Sequence, residues 1–258
     1  MMDEKRISVV INTYNAERDL KAVLESVKDF DEILICDMES TDATVEIARR
    51  HGCRVVTFPK GNHKSAEPAR TFAIQSARWP WVLVVDADEL VTPALREELY
   101  RRIAEPDCPA GLYIPRLNRF MGKTLTCAYP DYQLRFFIRE GTEWPPYVHT
   151  FPKVQGRLDY LSKQRRDLAF VHLANDNVHT IMEKDNRYSD NDVEKKAGKR
   201  WGAWALIWRP FWRFFKTYVM EGGWRDGVRG LVYAGLKGAY QFQLVAKIIE
   251  KRIVNSEK

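Results

Sequence analysis

The amino-acid sequence predicts a layered α/β domain followed by a helical region that is rich in basic and aromatic residues. In the first half of the 258-residue chain, short apolar runs of strand length alternate with segments whose apolar residues recur at helical spacing. After about residue 175 only helical patterns follow, and this part holds five of the eight tryptophans. We therefore expect an α/β domain over residues 1–175 and a helical C-terminal region over residues 176–258.

The elements of the α/β domain follow from the periodicity of its apolar residues. The predicted strands cover residues 7–12, 32–37, 54–58, 81–86, 111–116 and 132–139. The predicted helices cover residues 20–27, 41–50, 68–78 and 93–103. Gly52 suits the left-handed position after a helix end, and Thr92 followed by Pro93 is typical of a helix start.

The net charge of +6 is unevenly distributed. Residues 195–252 contain 13 Lys and Arg against 3 Asp and Glu, a local charge of +10, so the remainder of the chain carries −4. A basic segment attached to a mildly acidic body indicates an anionic partner for that segment, whereas the alternative is a solvated basic face.

The cysteine spacing and the hydropathy of the chain indicate the cellular compartment in which the protein is expected. The four cysteines have neither CxxC nor Cys/His ligand spacing, and the chain begins with a charged stretch and not with a secretory signal. No run approaches the 18 or so apolar residues of a transmembrane helix. We expect a reducing, cytoplasmic location without a membrane span.

The most informative motif follows the apolar strand that ends at Asp86. Asp88 and Glu89 come directly after it, so the carboxylates lie at the carboxyl edge of the predicted sheet, where open α/β folds bind ligands. Mg²⁺ or Mn²⁺ takes oxygen ligands and binds phosphates alongside one or two carboxylates. The motif therefore indicates a metal-diphosphate site, although a short acidic motif alone also fits a plain strand-end loop.

Two other strand ends carry polar residues that would gather beside Asp86. The first strand leads into Thr13-Tyr14-Asn15-Ala16-Glu17, and the second leads into residues 37–44, which read DMESTDAT. Arg70, on the helix before the Asp86 strand, adds a cation suited to phosphate. Together these groups supply acceptors for a base and a ribose, and a donor for a diphosphate.

The series resembles the inverting family 2 glycosyltransferases of GT-A fold. Their TYN segment corresponds to residues 13–15, their DxxSTDxT to residues 37–44, and their DADE to residues 86–89. Beyond residue 110 the sequence is similar to the lipopolysaccharide-core glucosyltransferase-like branch, in segments at 116–122, 129–136, 148–149 and 171–173.

The resemblance implies a role for each matched residue. Asp37 would hold the base or ribose, Asp86 the ribose or diphosphate, and Asp88 the metal, which His172 would complete, since neutral imidazole is a sound Mn²⁺ ligand. The remaining donor-binding candidates are Thr13, Tyr14, Asn15, Glu17 and Glu39, which follow the first two strands, and Arg70 on the helix before the Asp86 strand. The donor implied is a nucleotide sugar, with UDP-sugars favoured, and the acceptor a lipid-linked or lipopolysaccharide-type glycan.

The general base is left open by the sequence. Inverting transfer needs one group to take the acceptor proton as the acceptor oxygen attacks the anomeric carbon. Where relatives show VHE, this chain has Thr150 in place of the glutamate. His149 and Asp131 are therefore the two candidates for the catalytic base.

The C-terminal region interleaves aromatic and basic residues, as in WRPFWRFFK at 208–216. Basic helices with Trp and Phe lie at the surface of anionic membranes, so we expect peripheral association with the inner face of the cytoplasmic membrane. A packed helical subdomain or an oligomer interface would give the same pattern, and a homo-oligomer is compatible with it.

Two other functions fit part of the sequence. A nucleotidyltransferase also places metal-binding carboxylates at strand ends, but it would show a Gly-rich phosphate loop where this chain has NTYNAE at 12–17. A non-catalytic protein could use the basic aromatic region to bind nucleic acid or membrane. No RNA-binding signature is present, and we expect no nucleic-acid partner.

Overall fold

A computed structural model describes residues 5–63, 65–147, 150–174, 177–196, 198–199 and 201–256. The chain forms two compact units. The first comprises the residues through Leu117 together with Pro130–Leu173, and the second comprises Asn118–Tyr129 and the residues from Ala174 onward.

The first unit is built on a seven-stranded sheet. Its strands are β1 (Ile7–Thr13), β2 (Glu32–Asp37), β3 (Arg54–Thr57), β4 (Trp81–Asp86), β6 (Gly111–Ile114), β9 (Gln133–Ile138) and β10 (Leu158–Tyr160), and the short β5 (Glu89–Leu90) pairs antiparallel with β11 (Phe170–His172). Its helices are α1 (Glu17–Val27), α2 (Thr44–Arg50), α3 (Glu67–Gln75) and α4 (Pro93–Ala104). The strand order is β10-β6-β9-β4-β1-β2-β3, in which only β9 runs antiparallel to its neighbours.

The two faces of the sheet bury different helices. All seven residues of β1 are buried, and because successive side chains point to opposite faces, Val9 joins α1 and α4 in one core while Val10 joins α3 in the other. The four predicted core positions of α1, Leu20, Val23, Leu24 and Val27, are all buried. Burial on both faces explains why the strands read as apolar runs.

The predicted elements of this unit are confirmed, with small changes at their ends. Gly52 has φ of 72°, and the Thr92 hydroxyl accepts a hydrogen bond from the Leu95 N–H, as expected for a helix end and a helix start. The prediction that the second helix begins at residue 41 is wrong, because α2 begins at Thr44. The Thr41 N–H donates to Asn15 Oδ1 instead of opening the helix.

The second unit contains part of β7 (Arg116–Phe120), β8 (Lys123–Thr124), α5 (Val178–Lys196), α6 (Ala205–Phe215) and α7 (Gly227–Ser256). The sequence assigned residues 118–129 to the first region, whereas in the structure Phe120, Leu125 and Cys127 share a core with Ile181 of α5. Asp226 secures this segment by accepting from the N–H groups of Thr126 and Cys127. Every helix in the part of the chain that the structure describes is too short or too polar to span a bilayer.

Candidate active site

The carboxyl ends of β1, β2 and β4 meet at one edge of the large sheet. The register pairs Thr13 with Asp37 and Asn12 with Asp86. The parallel strands thus bring the predicted donor-binding residues of three separate sequence segments together at the edge where open α/β folds bind ligands.

Asp37 is a buried carboxylate that organises the ends of β1 and β2. Its Oδ1 accepts from Thr13 Oγ1 at 2.9 Å and from Ser40 Oγ at 2.6 Å, and its Oδ2 accepts from the Ser40 N–H at 2.9 Å. These bonds hold the carboxylate in one orientation at the sheet edge. Thr13 and Asp37 therefore act as one unit in the structure.

Asn15 and Glu17 connect the loop after β1 to the loop after β2. The Asn15 side chain accepts from the Thr41 N–H at 2.8 Å, and Glu17 Oε2 accepts from the Ala43 N–H at 3.0 Å. Asn15 also has a positive φ of 49°, a conformation that asparagine adopts more readily than most residues. Both predicted donor-binding residues thus use side-chain oxygens to fix the shape of the loops.

Tyr14 and Glu39 lie at the rim of this edge. The Lys60 ammonium stands 4.5 Å from the centre of the exposed Tyr14 ring, and the Lys60 N–H donates to Glu39 Oε2 at 3.1 Å. Glu39 has φ of 62°. An aromatic ring, a cation and a carboxylate are therefore presented together, a combination that can contact a nucleoside.

Asp86 lies between two buried arginines. Arg70 Nη2 donates to Asp86 Oδ1 at 2.8 Å, and Arg135 donates to both carboxylate oxygens. Burial alone would raise the pKa of Asp86, but the Arg135 and Arg70 guanidiniums outweigh it and hold that pKa far below its ordinary value. Asp86 is therefore a fixed negative charge throughout the physiological range.

The two arginines retain unused hydrogen-bond donors. Within the described residues, Arg70 Nε and Nη1 and Arg135 Nε are buried without a hydrogen-bond partner. Both guanidiniums lie over the Trp144 ring, at 4.5 and 5.4 Å from its centre. Unpaired buried donors are costly, so a diphosphate whose oxygens accepted from them would be bound strongly.

A third arginine extends the network. Arg116 Nη1 donates to the fully buried Glu89 at 3.0 Å, and its Nε and Nη2 donate to Asp131 Oδ2 at 2.9 and 2.6 Å. Glu89 in turn accepts from the Asp86 N–H at 3.0 Å. The arginines and carboxylates of this network balance one another in number, which leaves Asp88 as a carboxylate outside it.

Asp88 is brought close to His172 by strand pairing. Antiparallel pairing of β5 with β11 sets His172 opposite Glu89, and the Leu173 N–H donates to the Asp88 carbonyl at 2.8 Å. His172 Nε2 then lies 3.6 Å from Asp88 Oδ1. A carboxylate oxygen and an imidazole nitrogen at this separation fit two neighbouring ligands of one Mn²⁺ or Mg²⁺ ion.

Two protein ligands are few for a metal site. The part of the chain that the structure describes holds no group of three His, Cys, Asp or Glu side chains arranged to bind a metal. Mg²⁺ in phosphate-binding sites is commonly held by one or two carboxylates, with the substrate phosphates and water as further ligands. The Asp88–His172 pair fits that type of site, in which the metal binds together with the substrate.

Asp131, one of the two candidates for the base, is held by hydrogen bonds on both carboxylate oxygens. Asp131 uses Oδ2 for Arg116 and accepts from Gln133 Nε2 on Oδ1 at 2.9 Å. A proton placed on Asp131 would weaken the ion pair and leave Arg116 with less compensation. His149 lies outside the residues that the structure describes.

Arg116 and Arg135 were not among the site residues predicted from the sequence. Both belong to segments that carry the family resemblance, and a sequence signal for Arg135 exists. It stands in the otherwise apolar run LRFFI of a buried strand, and arginine is almost never buried without a partner. The partner, Asp86, cannot be read from the sequence, because antiparallel pairing of β9 with β4 joins segments about 50 residues apart.

We expect Asp37→Asn to raise the KM for the donor about tenfold with a smaller effect on kcat, because the amide has one acceptor oxygen where the carboxylate has two, so it cannot keep all three bonds from Thr13 and Ser40, and it carries no charge. The measurement is initial-rate kinetics with varied donor. Asp42→Asn is the matched control, since Asp42 also accepts from backbone N–H groups of these loops. An unchanged KM, or an equal rise in the control, would show that Asp37 makes no specific contact with the donor.

Comparison with known proteins gives one family. A profile described as Glycosyl transferase family 2 matches residues 8–151. The chain is 25% identical over 272 residues to "Lipopolysaccharide core biosynthesis glycosyltransferase LpsC" of Rhizobium meliloti (strain 1021), an alignment that covers 99% of this chain and 96% of that protein. It is 26% identical over 259 residues to an uncharacterized glycosyltransferase of Rickettsia typhi (strain ATCC VR-144 / Wilmington), covering 95% and 87%.

A solved structure supports the fold. The mannosyltransferase PcManGT from Pyrobaculum calidifontis, determined in complex with GDP-Man and Mn²⁺, superposes with a TM-score of 0.55 at 15% sequence identity. The match covers 95% of this chain and 87% of that chain. The predicted GT-A type of α/β fold with a C-terminal helical region is thereby confirmed.

Proposed function

The chain belongs to glycosyl transferase family 2, and on that premise we propose that it moves a sugar from a nucleoside-diphosphate sugar to a lipid-linked or lipopolysaccharide-type glycan, with inversion at the anomeric carbon. One observation carries the proposal. Among the described residues, Arg70 and Arg135 beside Asp86 keep buried donors without a hydrogen-bond partner, and Asp88 and His172 lie 3.6 Å apart, as two ligands of one cation would. A diphosphate with its divalent cation satisfies both features.

Two relatives support the substrate classes. The Rhizobium protein is described as acting in lipopolysaccharide core biosynthesis, and it aligns over nearly the whole of both chains. The Pyrobaculum calidifontis structure contains GDP-Man and Mn²⁺. We propose a UDP-sugar as the donor in this chain, because the family resemblance of its strand-end motifs favours UDP.

The residues divide the work of the proposed reaction. Thr13, Tyr14, Asp37 and Glu39 bind the nucleoside, and Arg70 and Arg135 donate to the diphosphate. Asp88 and His172 hold the divalent cation, which supplies charge neutralisation for the departing diphosphate when bound. Asp86 fixes both arginines in place, and His149 or Asp131 removes the proton from the acceptor hydroxyl.

A thermal-shift screen tests donor binding directly. We expect one class among UDP-, GDP- and dTDP-sugars with Mn²⁺ to raise Tm by roughly 5–10 °C at free ligand about 100 times Kd, because a ligand that binds only the folded state stabilises it by mass action. Chelation of the metal should remove most of the shift. Absence of a shift with every nucleotide sugar would contradict the proposal.

The surface of α6 supports association with a membrane. None of its residues is buried, and Ile207 and Phe211 are each more than 60% exposed. Trp208, Trp212 and Phe215 stack along one side, with ring centres 5.4 and 6.1 Å apart. An amphipathic helix with exposed aromatic residues of this kind inserts its apolar side at the boundary of headgroups and acyl chains.

The cations near α6 contribute less than their number suggests. Arg209 donates to Gln241 and lies over the Trp201 ring, while Arg213 and Lys216 both approach Glu221, at 3.6 and 3.8 Å. Each cation that reaches an anionic surface adds about 1 kcal/mol. Apolar burial should therefore dominate membrane binding, with charge as the smaller contribution, and we propose the inner face of the cytoplasmic membrane as the location.

Replacing Trp208, Trp212 and Phe215 together by serine should weaken co-sedimentation with anionic vesicles at least about tenfold, because three large apolar side chains are lost. Moderate salt should weaken wild-type binding without abolishing it. Serine at Met182, Tyr188 and Phe242, which are exposed elsewhere in the same unit, is the matched control and should bind as the wild type does. If the wild type itself fails to pellet with these vesicles, the membrane proposal is wrong.

A further inference from the structure

A cluster of aromatic rings lies near the carboxyl ends of β6 and β10, along the same row of strand ends as Asp86 but on the far side of β9. Tyr160 stacks on Tyr113 with ring centres 4.4 Å apart and an angle of 8° between the planes, and Tyr132 meets Tyr160 edge to face at 5.0 Å. Phe151 packs against Tyr113 at 5.8 Å. Tyr160 is 54% exposed and Phe151 47% exposed, so the cluster presents ring surface to solvent.

The position of this cluster follows from the strand order. On one side of β4 lie β1 and β2, which carry the nucleoside-binding candidates, and on the other side lie β9, β6 and β10 in succession. The register pairs Tyr160 of β10 with Tyr113 of β6, and Tyr113 with Leu134 of β9. At about 4.8 Å between neighbouring strands, β10 lies roughly 14 Å from β4.

This strand order gives the nucleotide-sugar donor and the acceptor separate places along the same row of strand ends. If the nucleoside binds over β1 and β2 and the diphosphate beside Asp86, the transferred sugar extends toward β9. The acceptor must then approach from the side of β6 and β10, which is where the exposed rings lie. Asp131, one candidate for the base, directly precedes Tyr132 of the cluster.

The chemistry of the rings suits a sugar. A pyranose ring has a face made largely of C–H groups and a rim of hydroxyls, so it can cover a flat aromatic ring while its hydroxyls remain hydrogen-bonded. Tyrosine adds a hydroxyl at the edge of the apolar ring. The Tyr132 hydroxyl donates to the Leu161 carbonyl at 2.8 Å, which fixes that ring in place.

We propose that Tyr160, supported by Tyr113 and Tyr132, is the platform on which the terminal pyranose of the acceptor glycan stacks. The inference rests on the proposed function, since it assigns the acceptor of that reaction. It names the acceptor class as a glycan that ends in a pyranose, and it places the acceptor over β6 and β10.

Saturation-transfer NMR on the full chain tests the platform. The probes are the methyl pyranosides of glucose, galactose and mannose, added after the donor site has been filled with Mn²⁺ and the nucleoside diphosphate selected by the donor screen. We expect saturation to reach the C–H groups on one face of at least one glycoside. Tyr160→Ala should reduce this transfer about five- to tenfold, whereas Tyr160→Phe should retain most of it.

Two controls make the outcome decisive. Phe242→Ala removes an exposed aromatic residue of α7 and should leave the transfer unchanged. The donor-induced thermal shift should be the same in wild type and Tyr160→Ala, which shows that the variant is folded. A normal donor shift with no transfer, or with equal transfer in Tyr160→Ala, overturns the platform alone, whereas loss of the donor shift in the wild type overturns the proposed function.

Discussion

Asp88→Asn is expected to lower kcat for sugar transfer by at least about 10³-fold, because the amide cannot replace the charged ligand of a cation that neutralises the departing diphosphate. Asp88 lies outside the balanced network of arginines and carboxylates, and its carboxylate approaches His172 at 3.6 Å. The folded state should therefore tolerate the substitution. The measurement is the rate of transfer or of donor hydrolysis at saturating donor and Mn²⁺.

The control for Asp88 is a second aspartate of the same unit. Asp167 is an exposed carboxylate paired with Arg165, and Asp167→Asn should leave kcat within about twofold of the wild type. His172→Ala should move in the same direction as Asp88→Asn, since both residues are expected to hold the same cation. Full activity of purified Asp88→Asn would exclude Asp88 from the metal site.

The response to metal concentration separates a lost ligand from a general defect. If Asp88 binds the cation, the activity that remains in Asp88→Asn should rise with Mn²⁺ to concentrations well above those that saturate the wild type. A loss of activity that Mn²⁺ cannot change, accompanied by a lower Tm, would instead indicate damage to the fold around β5 and β11.

The meeting of Asp37 and Asp86 at one edge could be predicted from the sequence, because parallel strands of a layered sheet end together. The pairing of Thr13 with Asp37 and of Asn12 with Asp86 fits that expectation. The strands involved, β1, β2 and β4, are six or seven residues long and strongly apolar, which is the pattern that periodicity detects best. The placement of Asp37 and Asp86 therefore follows from the apolar pattern of the strands alone.

The position of His172 could not be derived in the same way. It depends on antiparallel pairing between β5 and β11, which have two and three residues and therefore no readable period. Its place in the site was predicted only from the family resemblance. Arg135 and Arg116 show a related limit, since a charged residue in a strand indicates that a partner exists but does not identify it.

The packing of residues 118–129 exposes a third limit. This segment lies between the predicted strands at 111–116 and 132–139 and so was assigned to the α/β domain, but its apolar residues pack against α5 and α7. Contacts between segments about 100 residues apart, such as Asp226 with Thr126, leave no periodic signal. A short segment that packs with residues far along the chain is therefore hard to assign to a unit from sequence alone.

His149→Ala is expected to lower kcat by about 10² to 10³-fold with little change in the KM for the donor, because proton transfer by a positioned group contributes on that scale. The contacts of Asp131, the other candidate, make it the less suitable base. Asp131 is engaged by Arg116 and Gln133, and protonating it would oppose the ion pair with Arg116. We therefore expect His149 to be the base and Asp131→Asn to be the milder variant.

The two candidates give different results under added base and changed pH. If His149 takes the proton, imidazole in solution should restore part of the activity of His149→Ala but none of that lost in Asp131→Asn, because only the first variant leaves a space of imidazole shape. The acidic limb of the pH profile of kcat should also disappear in His149→Ala, since that limb reports protonation of the base. If Asp131→Asn shows the larger loss and His149→Ala keeps the acidic limb, the role belongs to Asp131, with Arg116 as its orienting partner. Two mild effects would mean that neither residue is the base and that the proton passes to the substrate or to another group.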